Sequence, residues 1–315
     1  MRLKTQVIVN PESNRGRTRK RWGEIRDGLR SFIREFKFEF TEKPLQATEL
    51  AREAIKEGTE LVIGVGGDGT MNEIANGFFE DKQIINPETT LGIVPSGTGS
   101  DLNKSLNIPA GLKDALKVIS EAPSVLMDVG KVRFQSNSGG VEERFFLNIA
   151  DFGLGGEVVR RVNERRLQRK ASSYVRCLVT TMVQYRNKRV RIRVDGENLP
   201  EGEYLIGAVA NGKIFGKGMK VAPGARLDDG LFDTVLVRGF KFLEFCRHGW
   251  KLMNGSHITH PKVTVIRGSK VEAWPEENNE DVLLELDGEQ LGRLPATFEI
   301  IPRNLLIKGF LQPVR

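Results

Sequence analysis

The densest chemistry in the chain lies in Leu61-Val62-Ile63-Gly64-Val65-Gly66-Gly67-Asp68-Gly69-Thr70-Met71-Asn72-Glu73. A short apolar stretch enters four glycines and an aspartate, and a helical pattern follows at once. Bare backbone N–H groups at the positive end of a helix make an anion site, and phosphate is the anion they suit best. Gly64, Gly66 and Gly69 also satisfy the dinucleotide-binding spacing. Context argues against that reading. The run follows the third strand, not the first, and the next strand ends at Pro95 with no acidic residue placed for a ribose. No Walker A pattern with its Lys-Ser/Thr occurs. Close packing of strand on helix would explain the glycines but not Asp68 and Thr70.

Four further segments carry polar groups at telling positions. Pro95-Ser96-Gly97-Thr98-Gly99-Ser100-Asp101-Leu102-Asn103 again follows a strand and precedes a helix, with Asp101 a candidate N-cap. Two glycine-rich loops on one sheet edge, each with an aspartate, can together hold the phosphates of ATP and a magnesium ion. Asn10-Pro11-Glu12-Ser13-Asn14-Arg15-Gly16 is a polar turn ending in basic character, or a plain strand-to-helix loop. Asp228-Asp229-Gly230 suits a divalent cation or a hairpin turn. Leu284 to Leu291 alternates as a hairpin about Asp287-Gly288, with Glu289 beside the turn.

The elements that must position these groups fall into two patterns. In the first third, strands at Gln6–Asn10, Lys37–Thr41, Leu61–Val65 and Leu91–Val94 alternate with helices at Arg17–Phe36, Leu45–Lys56 and Met71–Phe79. That order predicts an α/β domain with a doubly wound parallel sheet, and ligands at the strand C-terminal ends. Beyond about Val125 strand candidates dominate: Asp128–Phe134, Glu143–Ala150, Arg189–Val194, Tyr204–Ala210, Phe232–Val237, Lys262–Ile266, Lys270–Ala273, Val282–Leu286 and Thr297–Ile301. Helical stretches interrupt them near Gly156–Arg169 and Ser173–Tyr185. The expectation is a nucleotide-binding domain over 1–127, to which 303–315 can return, and a β-rich, β-sandwich-like substrate domain over 128–302.

At 315 residues the chain has room for both. Its net charge of +7 favours polyanionic partners or phosphorylated substrates. Cys177 and Cys246 form no metal-type spacing, and a reducing cytoplasm is the expected compartment. No apolar run approaches the ~18 residues of a membrane span. A lipid would be met from the water side.

Read together, Asn10-Pro11-x-Ser13, Gly66-Gly67-Asp68-Gly69-Thr70, Gly97-Thr98-Gly99-Ser100-Asp101, Asn211-Gly212-x-x-Phe215-Gly216-x-Gly218-Met219, Asp228-Asp229-Gly230 and Asp287-Gly288-Glu289 resemble the diacylglycerol kinase catalytic-domain family. The match runs in order over nearly the whole chain. The first glycine motif is shared with NAD kinases and phosphofructokinases; the later motifs single out lipid kinases. The resemblance implies ATP and Mg²⁺ as cofactors and an ATP site between the domains. Asn10, Pro11, Glu12, Ser13, Asn14, Arg15, Thr41, Gly66, Gly67, Asp68, Gly69, Thr70, Met71, Asn72 and Thr98 would contact nucleotide. Asp68 and Asp101 would lie near the catalytic Mg-ATP, and Glu289 would be the general base for the lipid hydroxyl. A structural magnesium would be held by Asp229 and the backbone carbonyls of Arg226 and Leu231. Two departures stand out. Gly99-Ser100-Asp101-Leu102 replaces the usual Gly-Asn-Asp-Phe, and Asn14-Arg15 replaces Gly-Lys, keeping the charge but not the geometry.

The basic runs Arg160 to Lys170 and Arg186 to Arg193 read either as solvated faces or as electrostatic docking sites for anionic phospholipid, at ~1 kcal/mol per residue. Nucleic-acid binding is not expected, since aromatics are sparse and no binding motif accompanies the charge. The reading is thus a cytoplasmic, peripherally membrane-associated lipid kinase, compatible with a homodimer. The alternatives are a kinase of a soluble substrate such as NAD and a non-catalytic nucleotide- or lipid-binding sensor.

Overall fold

Every residue of the first strand, β1 (Thr5–Val9), is buried, the pattern of a strand covered on both faces. The computed structural model describes residues 3–33, 35–97, 101–164, 171–240, 242–277 and 280–311, with the side chains of 171–175 outside that description. The chain divides into two units. Unit 1 is Met1–Val129 with Leu227–Asp229 and Pro302–Arg315; unit 2 is Gly130–Arg226 with Gly230–Ile301.

Unit 1 runs β1, α1 (Ser13–Phe32), β2 (Lys37–Phe40), α2 (Gln46–Lys56), β3 (Leu61–Gly66), α3 (Asp68–Gly77), a small hairpin β4 (Phe79–Glu80) and β5 (Gln83–Ile84), β6 (Thr90–Pro95), α4 (Asp101–Ser105) and α5 (Leu112–Glu121). β2, β1, β3 and β6 lie side by side in that order, all parallel. Side chains alternate across a strand, and the core follows. Val7, Val9, Ile63, Val65 and Val94 pack with Trp22, Ile25 and Leu29 of α1 and Leu116 and Ile119 of α5. Gly64 faces the other way. A Cβ there would meet Met71 Cε at 2.6 Å and Ile74 Cδ1 at 2.7 Å, so α3 can approach β3 only over a glycine. The connections after β1, β3 and β6 all leave strand C-terminal ends, where open parallel sheets bind ligands.

Unit 2 contains most of β7 (Ser124–Ser136), then β8 (Val141–Phe146), β9 (Ile149–Gly153), α6 (Leu154–Glu164), α7 (Ala171–Gln184), β10 (Lys188–Val194), β11 (Glu197–Asn198), β12 (Glu203–Ala210), β13 (Phe232–Arg238), α8 (Phe242–His248), α9 (Lys251–Asn254), β14 (Val263–Gly268), β15 (Lys270–Pro275), β16 (Leu283–Leu286) and β17 (Glu289–Lys308). Its strands pair antiparallel, with β9 between β12 and β16. β13 and β14 extend beyond β12, while β17 pairs β16 and β15. The last residues of β17 belong to unit 1, where Leu306 and Ile307 pair parallel with β6. The core of unit 2 is rich in phenylalanine, with Phe134, Phe146, Phe152, Phe232 and Phe298 all buried.

Several expected elements differ. The single strand expected over Glu143–Ala150 is two, β8 and β9. The break falls at Leu147-Asn148, whose N–H groups donate to the Asp287 carboxylate instead of a neighbouring strand. Thr297–Ile301 and Leu305–Ile307 belong to one long strand, β17. α5, α8 and α9 are helices the sequence reading did not anticipate. α1 starts at Ser13 and ends at Phe32, with Asn14, Arg15 and Gly16 left-handed at φ 51°, 62° and 73°. The expected helix over Gly156–Arg169 is described as α6 to Glu164; residues 165–170 lie outside the described residues. Among the described residues no helix is long and apolar enough to cross a membrane.

Candidate active site

Three loops of unit 1 are tied together by side chains. Asn10 follows β1, and its Oδ1 accepts the N–H groups of Glu12 (3.0 Å) and Ser13 (3.2 Å). This Asx turn lifts the chain off the strand. The Asn10 Nδ2 donates to Thr70 Oγ1 at 2.9 Å, joining the first loop to the start of α3. Thr18 links the first loop to the third: its hydroxyl meets those of Ser13 and Ser96. Thr41 stands at the end of β2, its N–H on the Val9 carbonyl at 2.9 Å. Pro11 accepts the Arg19 N–H, and Glu12 pairs with Arg19 on the exposed surface.

Asp68 makes the third link. Its two carboxylate oxygens accept the N–H groups of Asp101 (3.0 Å) and Leu102 (3.3 Å). A helix start needs acceptors for its unpaired N–H groups. Here the acceptor comes from a different loop, so Asp101 begins α4 but is not its cap. Asp101 is itself buried, and Lys104 donates to its Oδ1 at 2.8 Å.

The glycines have geometric reasons. A Cβ on Gly66 would lie 2.5 Å from Thr70 Oγ1, and one on Gly67 would lie 3.3 Å from the Gly97 Cα. Met71, expected at the nucleotide, is buried against Gly64, so only its backbone can serve a ligand. Asn72 accepts from the Asn76 amide at 3.1 Å. Thr98 lies outside the described residues.

In unit 2 the Asp287-Gly288 pair forms a two-residue hairpin turn with φ 46° and 93°. Both residues have positive φ, the geometry that favours Asp-Gly. Leu286 pairs with Glu289 across it. Asp287 accepts the N–H groups of Leu147 (2.8 Å), Asn148 (3.0 Å) and Ile149 (3.1 Å). Glu289 follows on the half-buried first position of β17.

Beneath this turn is a pair that sequence reasoning missed. Asp151 of β9 and Glu285 of β16 are cross-strand partners, both fully buried. No donor of good geometry reaches either Asp151 oxygen or Glu285 Oε1 among the described residues. Glu285 Oε2 accepts the Gly288 N–H at 2.8 Å, which ties the pair to the turn. Burial pushes the Asp151 carboxyl up to about 7, opposed by hydrogen bonding from Glu285 and the Gly156 N–H. Burial, then the Asp151 charge, pushes Glu285 well up too. Burial thus keeps protons on this pair at pH values where free carboxyls have lost them. The available signal was an acid inside each of two apolar strand patterns.

The same unit encloses a cavity of about 100 Å³. Its wall is almost wholly apolar, built from Leu154, Val158, Leu205, Phe215, Val235 and Phe245, among others. Gly155 lines it and also abuts Asp151, whose carboxylate leaves no room for a Cβ at that position. The cavity, the buried pair and the Asp287-Gly288-Glu289 turn are therefore neighbours in series.

Asp229 lies in the unit 1 segment Leu227–Asp229, with Arg226 and Leu231 just outside it in unit 2. β12 ends at Ala210 and β13 begins at Phe232, so Asp228-Asp229-Gly230 is not a hairpin turn between paired strands. Within unit 1 the segment is held by Asp128, whose N–H donates to the Leu227 carbonyl (2.7 Å) and whose carboxylate accepts the Arg303 N–H (2.7 Å). No cluster of three or more His, Cys, Asp or Glu able to hold a metal occurs among the described residues.

Residues 4–132 match the diacylglycerol kinase catalytic domain, and residues 148–308 match the YegS C-terminal NAD kinase beta sandwich-like domain. A diacylglycerol kinase of Staphylococcus carnosus is 30% identical over 303 residues, covering 95% of this chain and 92% of that protein. One of Staphylococcus aureus (strain MRSA252) is 30% identical over 310 residues, 97% and 92% of the two chains. The chain belongs to the diacylglycerol kinase family. It is an ATP-dependent lipid kinase acting on an alcohol group, with two domains, the second β-sandwich-like. The fold agrees. A diacylglycerol kinase structure from Bacillus anthracis superposes with a TM-score of 0.72 at 22% identity, over 98% of this kinase and 97% of that chain. An NAD kinase from Archaeoglobus fulgidus in complex with ATP gives 0.50 at 16% identity, over 96% and 93%. In this kinase the family's glycine loops are the ones Asn10, Thr18 and Asp68 join together.

Proposed function

We propose that the protein transfers the γ-phosphoryl group of ATP to the free hydroxyl of diacylglycerol, giving phosphatidic acid at the cytoplasmic surface of an anionic membrane. The observation that carries the acceptor class is the apolar cavity in the unit that bears Glu289. A lining whose open surface is almost all apolar, with Lys251 among the few polar residues around it, suits acyl chains better than a polar acceptor such as NAD.

In this reading unit 1, a doubly wound domain supported by its parallel strands and helices, binds the nucleotide. The first turn of α3 supplies backbone N–H groups for the phosphates, and the linked loops at Asn10–Arg15 and Ser96–Gly97 flank it, with Arg15 adding a cation. Thr41, Gly66 to Asn72 and Thr98 complete the contact. Asp68 orders the second loop by capping α4, and Asp101 stands at its start. Unit 2 holds the lipid. Glu289 accepts the hydroxyl proton as the oxygen attacks the γ-phosphorus; the bond to the β-phosphate oxygen breaks and ADP leaves. Three backbone N–H groups offset part of the Asp287 charge two residues before Glu289. The carboxylate of Asp229 and the carbonyls of Arg226 and Leu231 are all oxygen donors, the set that Mg²⁺ selects. A magnesium ion bound with ATP supplies neutralisation of the triphosphate charge.

The test is ATP consumption against diacylglycerol, phosphatidylglycerol, sphingosine and NAD. Turnover with diacylglycerol above the others supports the proposal. Turnover with NAD and no lipid refutes it, and ATP binding without turnover on any acceptor leaves a sensor.

A further inference from the structure

We propose that the α8–α9 cap of unit 2 is the face that docks on an anionic bilayer, with Leu243, Trp250 and Met253 entering the lipid interface. The proposal rests on the lipid-acceptor reading above and names the surface through which that acceptor is met.

Three observations converge on this face. First, Leu243 and Trp250 are the two most exposed large hydrophobics among the described residues, at 79% and 62%, and Met253 follows nearby at 57%. Neither α8 nor α9 has a single buried residue. Scattered exposed apolar residues are ordinary, but several within eleven residues mark a contact surface. A tryptophan at its edge suits the bilayer interface.

Second, the other side of the same segment walls the cavity: Phe245, His248, Lys251 and Leu252 line it. A cap with apolar side chains on both sides has one side against the proposed acyl site and the other facing outward. A bilayer is the partner that makes both sides useful, because the acceptor leaves it to enter the cavity.

Third, the charge has the right sign. From Phe242 to Lys262 the basic residues are Arg247, Lys251 and Lys262, and the only acid is Glu244, bridged by Lys262 at 2.6 Å. Of the two basic runs expected to dock, residues 165–170 lie outside the described residues, and five of the described cations are paired with acids of unit 2. Arg160 and Arg161 bridge Glu157, and Arg160 also bridges Glu164. Lys188, Arg189 and Arg193 pair with Glu280, Glu276 and Glu272.

The test is sedimentation with vesicles of phosphatidylcholine and phosphatidylglycerol in equal parts, using the wild type and the triple variant Leu243→Ser, Trp250→Ser, Met253→Ser. None of these side chains lines the cavity. Removing three apolar anchors should weaken vesicle binding by about 100-fold. Turnover of a short-chain diacylglycerol dissolved as monomer should not change. Should the triple variant fold poorly, quenching by brominated lipid decides: vesicles must quench wild-type tryptophan emission, and Trp250→Phe must abolish that quenching. Equal sedimentation of variant and wild type, or quenching that survives Trp250→Phe, overturns the proposal. So does a lipid-free dimer that the triple variant dissociates, because a second copy would then cover this face. Vesicle binding is read without substrate. If it behaves as proposed while soluble diacylglycerol is not phosphorylated, the docking face stands and the acceptor reading falls.

Discussion

Replacing Asp151 with asparagine should remove the Asp151 share of a pH dependence of stability that the buried pair creates. In the folded protein the Asp151 carboxyl titrates at about 7, against 3.8 when unperturbed. Between those values the folded state holds a proton that the unfolded chain has released. Stability must then fall as pH rises through this window. One proton corresponds to ~1.4 kcal/mol per pH unit, so the Asp151 share of the loss from pH 4 to 7 is about 4 kcal/mol, and Glu285, also pushed up by burial, adds to it. Asparagine cannot titrate, so the variant keeps only the Glu285 share and should lose less stability than the wild type over that range. Urea midpoints at pH 5, 6, 7 and 8 for the two proteins measure the difference. His257, whose pKa burial lowers, favours the folded state as pH rises through about 6.5, but it is common to both proteins and cancels. The lowered carboxyls of Glu142 and Glu299 act below pH 5, outside the comparison. Parallel curves for wild type and Asp151→Asn would refute the raised Asp151 carboxyl.

Two substitutions test unit 1. Asp68→Asn keeps one acceptor oxygen and loses the charge that caps α4; stability should drop by ~1–2 kcal/mol in urea titration, and kinase turnover should fall far more than that loss explains. Arg15→Gly relieves a left-handed residue at φ 62°. It should stabilise the fold by ~1 kcal/mol while raising KM for ATP, since the cation proposed to meet the phosphates is gone; an unchanged KM would remove Arg15 from the nucleotide site.

Much of this architecture is legible in the chain because its signals are local. Val7 to Val9, Leu61 to Val65 and Leu91 to Val94 are short apolar runs separated by helical spacing, which is enough for a parallel arrangement. Asp287-Gly288 announces its turn by residue type alone. The second glycine motif shows where a loop lies but not what caps the helix after it, because Asp68 comes from a distant loop and no spacing rule connects the two. Asp151 and Glu285 meet only through antiparallel pairing of β9 with β16, a register no sequence pattern fixes. The break between β8 and β9 depends in turn on where Asp287 points. α5 does carry helical spacing at Leu112, Leu116 and Ile119 and was within reach. α8 and α9 were not: their apolar residues face both the cavity and the outside, which erases the periodicity that marks a helix.

The central claim is that this chain moves phosphate from ATP to a lipid hydroxyl with Glu289 taking the proton. Single-turnover transfer from radiolabelled ATP to diacylglycerol, in the wild type and in Glu289→Gln, tests it most directly. The account predicts labelled phosphatidic acid from the wild type and a loss of at least ~100-fold in the variant, with ATP binding retained. Full transfer by Glu289→Gln, or none by the wild type, would contradict it.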